Sequence, residues 1–165
     1  MLLTSEMRQE LRKIRLFLQF PTRHKLWFVW CFFVSGIVRA SILLLPFRWL
    51  SPHLGAHYAN HQFSTVVSEE QQLLAWRIGR VTEAACKQTP WESKCLVQAI
   101  LARYLLDRYE IPCVLYLGLF KPKTGGDDLK AHAWLCTGPW VITGGGGHQP
   151  FKIVATYVSP STLLD

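Results

Sequence analysis

Apolar and polar residues repeat with a helical period from residue 68 to about residue 109. The segment Ser68–Gln71 has the capping-box pattern, in which a hydroxyl residue precedes a helix and a Gln follows at the third helical position. Four apolar residues then trace one stripe of a helix that ends near Lys87: Leu74, Ile78, Val81 and Ala85. After Thr89-Pro90, Ser93 is a good N-cap for a second helix that runs to about Tyr109. Apolar residues nearly encircle this second helix, which predicts that it is central and buried.

After Pro112 the period changes from that of a helix to that of a strand. Residues 113–120 form a continuous apolar run, which is typical of a strand covered on both faces. Residues 121–129 predict a hairpin loop, and the pattern that follows predicts three more strands: 130–136, 140–143 and 151–157. Helices followed by an antiparallel sheet indicate an α+β fold.

The N-terminal part of the chain is predicted to be helical. An amphipathic helix is expected at residues 5–20, and two more at about 23–35 and 37–45, separated by Ser35-Gly36. Residues 46–67 carry turn-forming residues and little periodicity, so we expect a connector with room for a short helix.

The apolar stretch Leu26–Phe47 raises the question of a membrane span. A spanning helix needs about 20 apolar residues, whereas Arg39 interrupts this stretch, and a central Arg costs about 2.5–3.5 kcal/mol on insertion scales. The stretch also begins too late for a signal peptide, and no small-x-small cleavage site follows it. We therefore expect buried core helices, or a helix that lies on a partner or on a membrane surface.

Charge divides the chain into two parts. Residues 1–60 carry eight Lys/Arg and two acidic residues (+6), whereas residues 61–165 carry ten and nine (+1). The length of 165 residues favours one domain with its own core, in which we distinguish a basic helical segment at 1–60 from a domain at 61–165. Three explanations of the basic excess stay open: a solvated helix face, an acidic protein partner and the inner membrane surface.

Five widely spaced cysteines indicate a reducing compartment, and we expect a cytosolic protein. No Cys-x-x-Cys pair occurs, which disfavours a zinc site or a thioredoxin-type site. His57 and His61 have i,i+4 spacing but lack a third ligand at a sensible spacing, so we expect no metal site. Four cysteines lie within apolar runs or in mid-helix and are expected to be packing residues: Cys31, Cys86, Cys113 and Cys136.

Cys95 and His132 are the candidate catalytic residues. Cys95 falls in the first turn of its predicted helix, where unpaired N–H groups, the helix dipole and the neighbouring Lys94 favour a thiolate. His132 lies in a predicted strand on the same face as Trp134, beside small alanines that would let a helix pack closely. The imidazole would take a proton from the thiol and return it to a leaving amine. The alternative is that both are packing residues, which a lone cysteine or histidine most often is.

Several short motifs occur together and in a characteristic order. They are Trp91-x-x-x-Cys95-Leu96, Leu105-Leu106, Ile111-Pro112, Leu115 to Gly118, and Ala131-His132-Ala133-Trp134. In this order they resemble the transglutaminase-like cysteine peptidases of lasso-peptide biosynthesis, the B proteins that remove the leader from a ribosomally made precursor. The resemblance covers about residues 68–157 and extends more loosely to the Leu-Pro-Phe-Arg segment at 45–48.

The resemblance implies a papain/transglutaminase-like fold in which a Cys-bearing helix packs on an antiparallel sheet that bears the His. It implies that Cys95 is the nucleophile and His132 the base of a peptide-bond hydrolysis through a thioester, without a metal or an organic cofactor. With the length of this chain it further implies the stand-alone type, which works with a separate leader-binding protein and an ATP-dependent cyclase and binds no nucleic acid. The expected docking surface for the leader-binding protein is the basic N-terminal segment: Arg8, Arg12 and Arg15.

One position departs from the family pattern. The family commonly has an Asp, which orients the His, about twelve residues after it. Here Gly144 occupies that position, and no acidic residue lies between His132 and Asp165. Several alternatives for the orienting group stay open: Thr143, a backbone carbonyl, Asp127 or Asp128 from the hairpin loop, and His148.

Two other functions fit the same sequence. An amidase or a transamidating enzyme of the same fold would use the same two residues, Cys95 and His132. A non-catalytic scaffold subunit that kept the fold would need neither of them, and the missing Asp is the feature that favours it.

Overall fold

The computed structural model describes residues 21–122 and 129–162, which form an α+β architecture. The α-helices of this part are α1 Thr22–Leu44, α2 Phe47–Leu50, α3 Glu69–Cys86 and α4 Cys95–Arg108. The strands are β1 Ala56–Tyr58, β2 Val114–Phe120, β3 Lys130–Thr137, β4 Trp140–Thr143 and β5 Lys152–Val158. Short 3-10 helices lie at Ser51–Leu54 and Pro160–Thr162. The predicted fold class is therefore confirmed.

The strands form one antiparallel sheet in the order β1-β5-β2-β3-β4. β2 lies in the middle, and its first three residues are buried, as its continuous apolar run predicts. The strands predicted at 130–136, 140–143 and 151–157 are confirmed to within one residue at each end. β1 lies in the predicted connector, where three residues are too few to show a period of two.

The helices cover one face of the sheet. α3 and α4 pack on it through a core that includes Leu101, Ala133 and Leu135. Trp134 belongs to a smaller cluster on the other face, and the ring of His132 stacks on it. The predicted alternation along β3 is therefore confirmed, with the small Ala133 facing the helices and His132 on the side of Trp134.

α3 begins with the predicted capping box. The Ser68 hydroxyl accepts a hydrogen bond from the N–H of Gln71 at 3.2 Å, and the Gln71 side chain accepts from the N–H of Ser68 at 3.0 Å. Two N–H groups that the helix itself cannot pair are thus satisfied within one turn, and such a cap stabilises a helix by about 1 kcal/mol. The helix start is predictable because the signal is local.

α1 is one continuous helix, so the predicted break at Ser35-Gly36 is wrong. The Ser35 hydroxyl donates to the carbonyl of Phe32 at 2.7 Å, inside the helix. Gly36 lies against the ring of Trp91, and a Cβ at this glycine would be 3.0 Å from that ring. The two small residues therefore form a packing notch in the helix. The amphipathic helix predicted at 5–20 lies outside the described residues.

By length and composition alone, α1 could cross a membrane, and it is the one such helix in the described part of the chain. Its buried residues face the domain: Trp27, Cys31 and Ser35. The indole N–H of Trp27 donates to the Tyr109 hydroxyl at 3.2 Å, and Trp30 stacks on Tyr104 at 5.1 Å. One side of the helix is thus packed on the domain, while its other side is exposed.

Candidate active site

Cys95 is the first residue of α4 and is half-buried. The N-cap is Lys94, whose side chain makes no capping hydrogen bond, so the cap predicted at Ser93 is wrong. The Ser93 hydroxyl instead lies 2.9 Å from that of Thr89, and its carbonyl accepts from Nε2 of Gln98 at 2.9 Å. Within the described residues no side chain caps α4, so its first N–H groups are available to an anion at Cys95.

The loop before Cys95 is anchored on α1. The indole N–H of Trp91 donates to the Ser35 hydroxyl at 2.9 Å, and the Glu92 carboxylate accepts from the Arg39 guanidinium at 2.9 Å. Glu92 also pairs with Lys94 at 3.0 Å. The hydrogen bond from Lys94, with the charges of Lys94 and Arg39, lowers the pKa of Glu92, so its carboxylate is ionised at neutral pH. α1 therefore contributes to the position of the α4 start.

The imidazole of His132 is held by a backbone carbonyl. Its Nε2 lies 2.7 Å from the carbonyl oxygen of Gly144. Because a carbonyl oxygen can only accept, Nε2 carries the proton, and the free lone pair of the neutral ring is on Nδ1. The ring centroid lies 6.0 Å from that of Trp134 and 5.1 Å from that of Phe151. These contacts fix the ring with Nδ1 as its basic nitrogen.

The other candidates for orienting this imidazole make no hydrogen bond to it among the described residues. Thr143 is buried, and its hydroxyl has no hydrogen-bond partner in the described part of the chain. Nδ1 of His148 lies 2.9 Å from the carbonyl oxygen of Gly145. Asp127 and Asp128 lie outside the described residues. Among the described residues, the backbone carbonyl is the one of these alternatives that contacts the imidazole.

Arg103 and His132 lie near opposite ends of the sheet. Arg103, about two turns along α4, lies beside Gly55 and Val158, where β5 ends. β3 and β5 both pair antiparallel with β2 and are therefore parallel to each other. His132 is the third residue of β3 and so lies near the opposite end of the sheet.

The thiol and the imidazole lie on different faces of the sheet. Cys95 packs against the core on the helix side, whereas the His132 ring contacts Trp134 on the other side. No hydrogen bond between Sγ and the ring occurs within the described residues. Catalysis requires the two groups to come within hydrogen-bond reach, and such contacts are often longer before substrate binds. The catalytic pairing therefore stays a prediction.

The other four cysteines have raised thiol pKa values. Burial raises the pKa of the Cys31, Cys113 and Cys136 thiols to about 12 and that of Cys86 to about 11. None of the four forms a disulfide within the described residues. They are protonated at neutral pH and hence poor nucleophiles, in agreement with their predicted packing role.

A cavity of about 540 Å³ lies on the face of the sheet away from the helices, and neither Cys95 nor His132 is among its lining residues. Trp134 and Phe151, which contact the His132 ring, form part of its wall. Another part is fixed by Tyr116, whose hydroxyl donates to the carbonyl of Phe63 at 2.7 Å and accepts from the N–H of the same residue at 3.0 Å. The cavity therefore adjoins the two side chains that pack on the imidazole.

A comparison with protein families matches residues 41–156 to the transglutaminase-like superfamily. The matched region covers more than half of the chain and includes both Cys95 and His132. No significant match was found to a curated protein or to a solved structure. The match agrees with the observed architecture, a Cys-bearing helix packed on an antiparallel sheet that bears the His.

The sequence reasoning missed two features of this region. It allowed for a backbone carbonyl as the partner of His132 but did not identify the carbonyl as that of Gly144. Every residue has a carbonyl, and the distinguishing feature of Gly144, its positive φ of 73°, is a property of the fold. It also interpreted Ser35-Gly36 as a helix break, although two small residues within a run of large apolar ones are also the signal of a packing notch.

Proposed function

The chain belongs to the transglutaminase-like superfamily, and we propose that it is a cysteine peptidase that removes the leader from a ribosomally made lasso-peptide precursor. Cys95 is the proposed nucleophile and His132 the proposed base. The observation that carries the proposal is the hydrogen bond between Nε2 of His132 and Gly144, because it leaves Nδ1 free to accept a proton. The order of motifs shared with the lasso-peptide B proteins supports the choice of substrate.

The proposed reaction forms and hydrolyses a thioester. Nδ1 of His132 takes the proton from Sγ of Cys95, and the thiolate attacks the carbonyl carbon of the scissile peptide bond. The N–H groups at the uncapped start of α4 stabilise the negative oxygen of the tetrahedral intermediate. When the C–N bond breaks, the imidazolium gives its proton to the leaving amine, which is the new N-terminus of the core peptide. Water, deprotonated by His132, then releases the leader as a carboxylic acid and regenerates the thiol.

The neutral carbonyl of Gly144 has a different effect from that of a carboxylate. It holds the ring in the required tautomer, but it supplies only a dipole to stabilise the imidazolium. We therefore expect a smaller population of the thiolate–imidazolium form than in an enzyme with an Asp at this position. More of the protein would then transfer the thiol proton to His132 during the attack on the peptide bond rather than before it. The reaction needs neither a metal nor an organic cofactor.

The proposed partners follow from the same resemblance. A separate leader-binding protein presents the precursor, and an ATP-dependent cyclase takes the core peptide after cleavage. We propose a cytosolic location for this work. The basic segment with Arg8, Arg12 and Arg15 is the proposed docking surface for the leader-binding protein. Charge reversal at these three positions is expected to lower leader-dependent cleavage without changing the thermal stability of the protein.

Identification of the products separates hydrolysis from amine transfer. The protein is incubated with a lasso-peptide precursor and the leader-binding protein, with and without an excess of a primary amine. The masses of the resulting peptides are then measured by mass spectrometry. A leader with a free carboxyl group as the main product in both samples supports the peptidase. A leader that carries the amine as its main product would instead identify a transamidating enzyme, and an uncleaved precursor in both samples would contradict the proposal.

A further inference from the structure

The exposed side of α1 is a continuous apolar surface. Large side chains with about two-thirds of their surface exposed recur along it, at Leu26 (65%), Phe33 (64%) and Ile37 (66%), and Leu44 is 80% exposed. Their spacing of seven, four and seven residues keeps them on one side of a helix. Every exposed residue between 26 and 44 is apolar. Ser41, one turn after Ile37, is half-buried, and its hydroxyl donates to the carbonyl of Ile37.

The charge that interrupts this apolar segment does not lie on the exposed surface. Arg39 is the one charged residue between residues 26 and 44. Its guanidinium is turned toward the domain and pairs with Glu92 at 2.9 Å. The cost of placing a charge in hydrocarbon therefore does not apply to the apolar side of α1.

Cationic and aromatic side chains flank the apolar surface. Arg23 is exposed at the start of α1, and Phe47, Arg48 and Trp49 are exposed just beyond its end. No acidic residue occurs from residue 11 to residue 68. This distribution complements an anionic phospholipid surface, where aromatic residues lie at the level of the headgroups and arginines bind phosphates.

We propose that α1 and residues 45–49 form a membrane-docking surface that lies in the plane of an anionic phospholipid bilayer. An in-plane helix buries its apolar side about 5–10 Å into the boundary between headgroups and acyl chains. A spanning helix would need lipid on all sides, whereas α1 is packed on the domain through Trp27, Cys31 and Ser35. A protein partner is disfavoured because protein interfaces carry about one hydrogen bond per 100–200 Å², whereas the exposed residues of this side are all apolar and the hydroxyl of Ser41 already donates to Ile37.

Docking in this way would bring the candidate active site near the bilayer. The notch formed by Ser35 and Gly36, which holds Trp91, is on the domain side of the same helix. The loop before the nucleophile is therefore braced by the element that contacts the lipid. The inference is independent of the proposed peptidase activity, since it rests on surface composition alone.

Vesicle flotation tests the docking surface. The protein is mixed with vesicles of phosphatidylcholine alone or with one-third phosphatidylglycerol, and the bound fraction is measured for the wild type and for the double variant Phe33→Glu/Ile37→Glu. The control is Val66→Glu/Leu73→Glu, which places two carboxylates at exposed apolar positions outside α1 (88% and 51% exposed). Circular dichroism melts establish that all three proteins are folded.

The wild type and the control are expected to float with the anionic vesicles, and the α1 variant to remain unbound. Arg48→Gln is expected to weaken anionic binding by about fivefold, the effect of one cation near the surface. A wild type that binds neither vesicle, or an α1 variant that binds as well as the wild type, would overturn the inference. The inference would also be overturned if the wild type bound no vesicle but dimerised, or bound the leader-binding protein, through the same side of α1.

Discussion

Nε2 of His132 lies 2.7 Å from the carbonyl oxygen of Gly144. Gly144 occupies the position at which the resemblance to the lasso-peptide peptidases leads us to expect an Asp. Gly144 adopts a positive φ of 73°, and a Cβ at this residue would lie 2.3 Å from the carbonyl oxygen of Ala133. A residue with a side chain therefore cannot take this place without moving the chain. The backbone conformation therefore excludes an acidic residue at position 144, and the carbonyl of Gly144 contacts the imidazole instead.

Gly144→Ala is expected to reduce kcat/KM for leader removal by roughly 10- to 100-fold, by analogy with the loss of groups that orient metal-binding imidazoles. The added Cβ displaces the carbonyl from the imidazole, because neither the positive φ nor the contact with Ala133 tolerates it. Gly146→Ala is the matched control, since nothing lies within 4 Å of a Cβ at that residue. Equal activity of the two variants would contradict an orienting role for Gly144.

Thiol labelling is expected to modify one cysteine at neutral pH. Iodoacetamide reacts with thiolates, and a thiol with a pKa of about 12, as for Cys31, Cys113 and Cys136, has less than about one thiolate per 10⁴ molecules at pH 7.5. Peptide mapping after brief labelling of the native protein should therefore find the label on Cys95. An inert Cys95 would favour the scaffold interpretation, and equal labelling of Cys136 would contradict the assigned burial.

Removing the hydrogen bond between Trp91 and Ser35 is expected to lower both stability and activity. Ser35→Ala and Trp91→Phe should each destabilise the protein, with a coupling energy of about 1 kcal/mol between them in a double-mutant cycle. Urea unfolding measures this energy, and the cleavage rate reports on the position of the loop before Cys95. Ser41→Ala is the control, because that hydroxyl bonds only to the carbonyl of Ile37 in the same helix. A coupling energy near zero would show that the contact does not hold the loop.

Alkaline pH is expected to destabilise the fold through its buried thiols. The pKa of Cys113 is about 12 in the folded protein, against an ordinary value of 9.0. The unfolded chain therefore loses this proton first, and the free energy of unfolding falls as pH rises from 9 toward 12, by up to about 1.4 kcal/mol per pH unit for this thiol.

Cys113→Ala should remove that contribution, so that its free energy of unfolding declines less steeply than that of the wild type. Urea unfolding at pH 8, 9 and 10 gives the slope of the free energy of unfolding against pH for both proteins. The cavity in the variant lowers its free energy of unfolding equally at each pH and therefore does not change the slope. Identical slopes would contradict the raised pKa. Cys113 is suited to this test because it is fully buried between Asp107 and Ser159.

Features encoded within one turn of chain were predictable from the sequence. The capping box at Ser68 and Gln71 contains both of its partners, and the strand starting at Val114 shows its burial in its own apolar run. Features set by tertiary contacts were not predictable. Ser93 is a competent N-cap, yet its hydroxyl is taken by Thr89.

The candidate site shows the same division. The sequence identifies Cys95 and His132 by residue type and order, and α4 does begin at Cys95. The carbonyl partner of His132 depends on how the chain turns after β4, which a sequence with four consecutive glycines leaves undetermined. The role of Ser35-Gly36 depends on Trp91, which lies more than 50 residues away.

The nucleophile is the central claim, and one comparison tests it most directly. The precursor peptide and the leader-binding protein are incubated with the wild type, with Cys95→Ala and with Cys136→Ala, which removes a second half-buried cysteine. Leader release is followed by mass spectrometry. The wild type and Cys136→Ala should release the leader at similar rates, and Cys95→Ala should be slower by at least about 10³-fold. Release of the leader by Cys95→Ala at the wild-type rate would contradict the account.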